Sequence, residues 1–365
     1  MKRWMVWVAC AFLLFGCGDD ETEPGTTATG TNTGTGGTGS GTGATGGTGG
    51  IGGGSTQTSI IPSDRRILWE GNVGIPGGIP NRTDVCATID ATTYGDGSTD
   101  AAAAIQAAID SCPDDQVVFV PAGTYRIDST VYLPSHRVLR GAGMDQTIIS
   151  FQGPADGRHA IAMWGHAGLT SGDSAVSITA GADKGSQTIT VASTAGAQVG
   201  EIMLVDQLND GDLVDSEGVQ GKCTHCGRED GDRTLGQLVE VTAIDGNDIT
   251  FTPPLYFTYA GNSPEASFAL PDQFIRWSGV ENLTLTQPNV SATYLIELQA
   301  AQYCWLKNVE VENVDWRAVW VQQSLQSEIR ECYFHESING YGRSHGYGVL
   351  LTSFSSANLI ENNML

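Results

Sequence analysis

The chain has 365 residues, of which 18 are basic and 41 acidic, giving a formal charge of −23 at neutral pH. That balance excludes a nucleic-acid partner, because a phosphate-binding surface needs a basic footprint. It also counts against unaided binding of a polyanionic glycan, unless Ca²⁺ held by carboxylates inverts the local field.

The leader MKRWMVWVACAFLLFGC places Lys2 and Arg3 before an apolar run too short to span a bilayer, which reads as a secretory signal over 1–16. Its LFGC end resembles the lipobox of bacterial lipoproteins, which implies cleavage before Cys17 and lipidation of the Cys17 thiol; an ordinary signal peptide with an incidental cysteine is the alternative. Residues 17–59 are mostly Gly and Thr and have almost nothing to bury, so they form a disordered tether. A flexible coil of about 40 residues reaches roughly 35 Å. The remainder, from Ile60, is long enough for one large domain.

In STDAAAAIQAAIDSCPDD, one of Ser98, Thr99 or Asp100 is the N-cap of a helix. Ile105, Ile109 and Cys112 form its apolar face, and Pro113 is its stop. Cys86 and Cys112 flank this helix and are the preferred disulfide pair in an oxidising compartment. QVVFVPAGTYRI, HRVLRGAG and QTIISF follow as short strands with glycine corners. The order YGDGSTDAAAAIQAAIDSC, VVFVPAGTYRI, LRGAG resembles the N-terminal cap and first coils of the pectate-lyase-like superfamily, which includes the rhamnogalacturonase- and epimerase-like β-helices. The resemblance implies an all-β fold, a right-handed parallel β-helix with an N-terminal capping helix over residues 60–171, and a polysaccharide as partner. Such a helix covers the open end of a stacked core.

Across 172–262 the pattern changes. VSITAGADKGSQTITV and LVEVTAIDGNDITF alternate about Asp-Lys-Gly and Asp-Gly-Asn turns, which predicts antiparallel hairpins in an inserted β subdomain. Its loops carry Asp206, Asp210, Asp212, Asp215, Glu217, Glu229, Asp230 and Asp232. These are oxygen ligands of the kind Ca²⁺ takes, but they lack EF-hand spacing, and a solvated loop is the stronger reading. No cofactor is required. Cys223 and Cys226 form a CxxC that is either a short disulfide or half of a zinc site, with no second half in view.

Residues 263–365 repeat. VENLTL from Val280, LKNVEV from Leu306, IRECYF from Ile329 and IENNML from Ile360 place Asn282, Asn308, Glu331 and Asn362 at one position, at spacings of a solenoid coil. The asparagines suit a left-handed corner and an amide ladder. A second row, LIELQ, AVWVQ and GVLLT, aligns Ile296, Val319 and Val349 inward and Glu297, Trp320 and Leu350 outward. Cys304 and Cys332 have inward parity in different registers, as buried thiols do. The last rung lacks its strand partner, so the chain reads as incomplete at its C-terminus, or else as covered there by another chain.

With Val319 and Val349 as anchors, Asp315 aligns with His345 and Arg317 with Tyr347, and Tyr294 holds the Arg317 register one coil earlier. Asp315, His345, Arg317 and Tyr347 are the candidate catalytic set, supplying an acid or base and a cation for a carboxylate. Trp320, Glu297, Arg343 and Tyr294 are the candidate substrate-binding set, with aromatic faces for sugar rings. The competing reading is that all are turn and exposed strand residues of a solenoid. His335 with Glu336 is a weaker candidate. GYGRSHGYGV is weakly similar to the His-Gly segment of polygalacturonases, but the paired aspartates that accompany it there are missing. Together these features point to a lipid-anchored protein of the bacterial cell envelope that cleaves or modifies an extracellular polysaccharide, as lyase or hydrolase. The rivals are a noncatalytic glycan-binding or adhesive β-helix and a truncated, inactive fragment.

Overall fold

The computed structural model describes residue 66 and residues 72–365, apart from 155–158, 170–174, 213, 217–218, 224–227, 229–230, 260, 262, 289–292 and 339–344. The leader with Cys17, and the tether, therefore lie outside the described residues.

The chain winds into a parallel β-helix with three sides. Sheet I is the longest: Val85–Thr88, Gln116–Val120, Arg137–Gly141, Gly279–Thr286, Trp305–Val311, Glu328–Arg330 and Leu359–Glu361 stack in that order. In the early coils a second row, Asp96–Asp100, Gly123–Ile127 and Thr147–Phe151, runs beside the first. In Gly279–Thr286 and Trp305–Val311 the two rows fuse into one bent strand, the first of which pairs through Gly279–Glu281 with the first row and through Thr284–Thr286 with the second; they separate again as Glu328–Arg330 and Tyr333–Phe334. The bend falls at Asn282, Asn308, Glu331 and Asn362, with φ of 56°, 54°, 58° and 55°. Asn308 Nδ2 donates to Asn282 Oδ1 at 2.9 Å, so the predicted corner and amide ladder are present.

Sheet II stacks Val131–Tyr132, Ile161–Trp164, Tyr294–Gln299, Arg317–Gln322 and Tyr347–Thr352. Sheet III is short: Ile275–Arg276 pairs with Ala301–Gln302, and bridges continue it through Leu325 to Ser356. Inward side chains of sheets I and II, among them Leu139, Ile149, Val280, Ile296 and Val319, make one continuous core. The helix Ala102–Ser111 closes one end of it, burying Ala102, Ile105 and Ile109. The N-cap is Ala101, not one of the three candidates, because Asp100 ends a strand; Asp100 instead accepts the Ala102 N–H at 3.0 Å from one residue before the cap. Cys86 and Cys112 form the expected disulfide. Cys304 and Cys332 are free and buried.

The insertion leaves from the corner between sheets II and III. Its strands close into a barrel in the order Thr188–Val191, Asp248–Thr252, Gly236–Asp245, Ile202–Asp206, Glu265–Phe268 and Val176–Ala180. Both predicted hairpins are there. The barrel runs beyond the expected boundary at 262, because Glu265–Phe268 is needed to bridge Ile202–Asp206 and Val176–Ala180. Its outer residues Ile202, Leu204 and Leu238 pack on Ala300, Leu325 and Ala357, and Arg276 pairs with Glu201 at 2.9 Å, so the barrel covers sheet III.

Before the first coil, residues 72–82 run as a strap along the outside of sheet I. Gly74 N donates to Ala357 O at 2.8 Å and Ile75 N to Glu328 Oε1 at 2.8 Å, whereas Arg82, at the other end, pairs with Asp115. Between these points Ile75 and Ile79 pack with Val117, Val138 and Trp305. Trp305 lies flat over Gly279, where an added Cβ would stand 2.1 Å from the indole ring; only glycine leaves room for it.

Candidate functional site

Consecutive coils lie about 4.8 Å apart, so residues in one register form rows. On the outer face of sheet II one row holds Tyr132, Ala162, Glu297, Trp320 and Leu350, and the next holds Trp164, Gln299, Gln322 and Thr352. Near the strand starts the alternation slips: Leu295 and Ile296 both enter the core, as do Ala318 and Val319, and this turns Tyr294 and Arg317 outward. Tyr294, Arg317 and Tyr347 then share a third row, in the predicted register, but Trp320, His159 and Arg317 pack over Tyr294 and leave it 4% exposed, so it supports the face and is no open substrate contact.

The three rows make an aromatic surface. Tyr294 meets Trp320 edge-on at 4.8 Å between ring centroids, and His159 lies 5.8 Å from Tyr294 and 5.9 Å from Tyr132. Trp164 and Tyr347 stand exposed at 51% and 42%. The guanidinium of Arg317 sits 4.1 Å from the Trp316 ring, 4.7 Å from Trp320 and 5.9 Å from Tyr294. Among the described residues no carboxylate pairs with Arg317. Burial among the rings lowers its pKa, opposed by the nearby Tyr294, Tyr347 and Glu297. The result is a partly desolvated cation held by cation–π contacts and open to an anionic ligand.

Two carboxylate–imidazole pairs lie on this side. Asp315 Oδ1 and His345 Nδ1 are 3.2 Å apart, with His345 39% exposed and Asp315 15%. His345 Nδ1 also lies 3.3 Å from the Asp315 carbonyl oxygen. Two acceptors at Nδ1 place the proton there and leave Nε2 as the basic nitrogen of the neutral ring. The second pair, His159 Nδ1 and Glu297 Oε2 at 2.7 Å, is almost wholly buried. Glu297 Oε1 accepts from Gln322 Nε2 at 2.6 Å, and Gln322 in turn donates to Gln299 Oε1 at 2.6 Å. Glu297 thus lies on the outer face as predicted, but its neighbours seal it to 2% exposure, so it is no open substrate contact.

Arg343 lies outside the described residues. His159, Tyr132 and Trp164 belong to the face without being candidates in the sequence; an aromatic residue in each sheet II strand is the signal for Tyr132 and Trp164, and His159 precedes its strand and has none. His335 has Glu310 as its close partner at 3.0 Å, with Glu336 at 3.9 Å, and it stands on sheet I, stacked on Tyr333 at 4.0 Å.

The candidate Ca²⁺ loop is resolved differently from expectation at Asp206. This residue ends a barrel strand, is fully buried, and is held by Arg228 at 2.5 Å and Arg233 at 2.9 Å, so its charge is already matched. Desolvation nevertheless raises its pKa, against the pull of both arginines. Asp210 caps a turn by accepting the Asp212 N–H at 2.9 Å, and Asp232 pairs with Lys222 at 3.2 Å. Among the described residues no group of three His, Cys, Asp or Glu side chains is placed to hold a metal ion. Cys223 is disulfide-bonded, which removes it from a zinc site.

A stacked parallel solenoid with three sheets defines the class as a parallel β-helix protein. The sequence model of the family "Rhamnogalacturonase A/epimerase, pectate lyase-like" matches residues 88–204. Among solved structures the chain is similar to tailspike gp61 of Pseudomonas phage phi297, at 14% identity and TM-score 0.54, covering 78% of this chain and 49% of that one. It also resembles tailspike gp49 of Pseudomonas phage LKA1, at 20% identity and TM-score 0.48, covering 64% and 36%. At these identities the likeness to gp61 shows the fold, and the chain spans half or less of the length of either tailspike. No curated protein matches the chain.

Proposed function

We propose that this protein acts on an extracellular acidic polysaccharide that lies across the outer face of sheet II. The observation that carries the reading is Arg317: a cation set among three aromatic rings, beside the Asp315–His345 pair and in register with Tyr347. Rings bind the apolar faces of sugars, and the guanidinium meets a uronate carboxylate despite the negative charge of the whole chain. The reaction these groups support best is β-elimination. His345 Nε2 takes the proton at C5 of the uronate, the electron pair forms the C4–C5 double bond, and the C4–O glycosidic bond breaks. The departing oxygen acquires a proton from Tyr347 or water. Asp315 stabilises the imidazolium as it forms, and Glu297 with His159 fixes the floor of the face from beneath.

Two carboxylates for hydrolysis are less well supplied, because Glu297 is sealed. That same sealing favours the second reading, a noncatalytic glycan-binding surface. We further propose, from the leader alone, that Cys17 carries a lipid that anchors the protein in the cell envelope; loss of radiolabelled fatty acid in Cys17→Ser tests this. For the main reading, acidic and neutral polysaccharides are incubated with the mature protein, with binding followed by affinity electrophoresis and cleavage by ultraviolet absorbance of unsaturated uronate and by reducing ends. Binding with absorbance supports the lyase and binding without new ends supports the adhesive reading. Absence of any binding refutes both.

A further inference from the structure

The corner between sheets III and I carries a second cluster, on the side of the β-helix away from sheet II. Asp115, His136, Trp277 and Tyr303 occupy this corner in successive coils, with φ of 62°, 65°, 57° and 56°. Their backbones form a ladder: Asp115 N donates to His136 O at 2.8 Å, and His136 N to Arg276 O at 2.8 Å. Left-handed backbone is uncommon for residues other than glycine, and for a tryptophan it is a true outlier. The left-handed backbone is the repeating geometry of this corner, continued at Gln326 and Ala357 with φ of 49° and 55°; what distinguishes the early coils is the side chains placed there.

The side chains border a cavity of about 390 Å³, lined by Pro80, Arg82, Asp115, His136 and Trp277, within the range of small-ligand pockets. One face of Trp277 is taken by Tyr303, 4.7 Å away between centroids. Arg82, only 7% exposed, stacks on Trp305 at 5.2 Å and pairs with Asp115. His136 Nδ1 lies 3.0 Å from the same Asp115 oxygen, Oδ1. Both protein partners therefore use one carboxylate oxygen. Asp115 Oδ2 and His136 Nε2 remain open, and Arg82 Nη1 has no hydrogen-bond partner.

We propose that this corner is a second carbohydrate site, which takes one neutral saccharide unit. A sugar ring offers an apolar face to Trp277 and adjacent hydroxyls that donate to Asp115 Oδ2 while accepting from His136 or Arg82. An anionic sugar is disfavoured, because the charge of Arg82 is already matched by Asp115 and the open carboxylate oxygen repels it. The site does not depend on any activity of sheet II.

The test uses the mature protein and a panel of methyl glycosides (glucoside, galactoside, mannoside and rhamnoside) with the matching methyl uronides, read by saturation-transfer NMR and calorimetry. At least one neutral glycoside binds saturably. Trp277→Ala and Asp115→Asn each weaken it about tenfold or more, as loss of a stacking ring or of a charged acceptor does, whereas Trp164→Ala on sheet II leaves it unchanged. Asparagine tolerates the positive φ at 115, so the second variant keeps the fold. Binding by none of the neutral glycosides, equal binding of the uronides, or binding that survives both corner variants overturns the proposal.

Discussion

Replacing Asp315 by asparagine tests the proposed chemistry with little change in shape. The amide retains an oxygen that can face His345 Nδ1, and the Asp315 carbonyl at 3.3 Å keeps its hold on the ring. What disappears is the charge 3.2 Å from the imidazole. Two unit charges about 4 Å apart attract by about 4 kcal/mol at the effective dielectric of a protein surface and about 1 kcal/mol in water. With His345 39% exposed, the value lies toward the lower limit, about 1–2 kcal/mol. Lost from the transition state, that slows turnover about 5- to 30-fold. His345→Ala removes the base itself and costs about 10²–10⁴. Initial rates of unsaturated-uronate formation give both numbers, and affinity electrophoresis shows whether binding persists. Full activity in both variants refutes the assignment of this pair; lost binding in Asp315→Asn refutes its restriction to the chemical step.

Trp320→Ala removes a ring that packs on Tyr294 and Arg317 and donates to Thr352 Oγ1 at 2.8 Å; it is expected to weaken polysaccharide binding by about 1–3 kcal/mol whether or not the protein turns over, measured by calorimetry. The Cys86–Cys112 disulfide closes a separation of 26 residues, for which chain entropy predicts about 3.5 kcal/mol; Cys86→Ser with Cys112→Ser therefore lowers the thermal midpoint by several degrees, and an unchanged melt contradicts it. Burial pushes the Cys332 thiol up to about 11 and the Cys304 thiol up to about 12, against about 8.5 in an unfolded chain. Because the folded values are the raised ones, the thiols' contribution to stability is fully present below about pH 8.5 and is lost as pH rises through about 11 for Cys332 and about 12 for Cys304. Denaturation followed along that range shows a fall that Cys304→Ser with Cys332→Ser reduces, and iodoacetamide at neutral pH labels neither thiol until the protein unfolds.

The solenoid was legible because its period is written in the sequence. Asn282, Asn308 and Asn362 recur where the backbone turns left-handed, and the Val319–Val349 alignment places Arg317 opposite Tyr347 as found. Coverage of one side chain by another has no such signature. Glu297 has outward parity, yet His159 and Gln322 close over it. Asp206 reads as one more acid in a polar loop, although it ends a barrel strand sealed by two arginines. The strand Glu265–Phe268 is too short to show alternation, and only closure of the barrel identifies it. His159 was invisible for a different reason: its neighbour across the coil, Glu297, is separated from it by the whole inserted barrel.

That separation explains how the face comes to exist. Ile161 pairs with Ile296 and Trp164 with Gln299, so the insertion leaves the register of sheet II untouched while carrying its own strands to sheet III. The strap takes much of the outer surface of sheet I, packing Ile75 and Ile79 against Val117, Val138 and Trp305. Two sides of the β-helix are thus used internally. On sheet II the outer rows keep Tyr132, Trp164 and Tyr347 exposed, beside a guanidinium with no described carboxylate partner. Large rings left exposed on a face that also holds a partly desolvated cation gain little in water, and such surfaces mark interaction sites. If sheet II were only the third wall of a scaffold, replacing Tyr132, Trp164 and Tyr347 together by serine would leave glycan binding intact. If it is the functional face, the triple variant folds, retains the disulfide-capped core, and loses the polysaccharide.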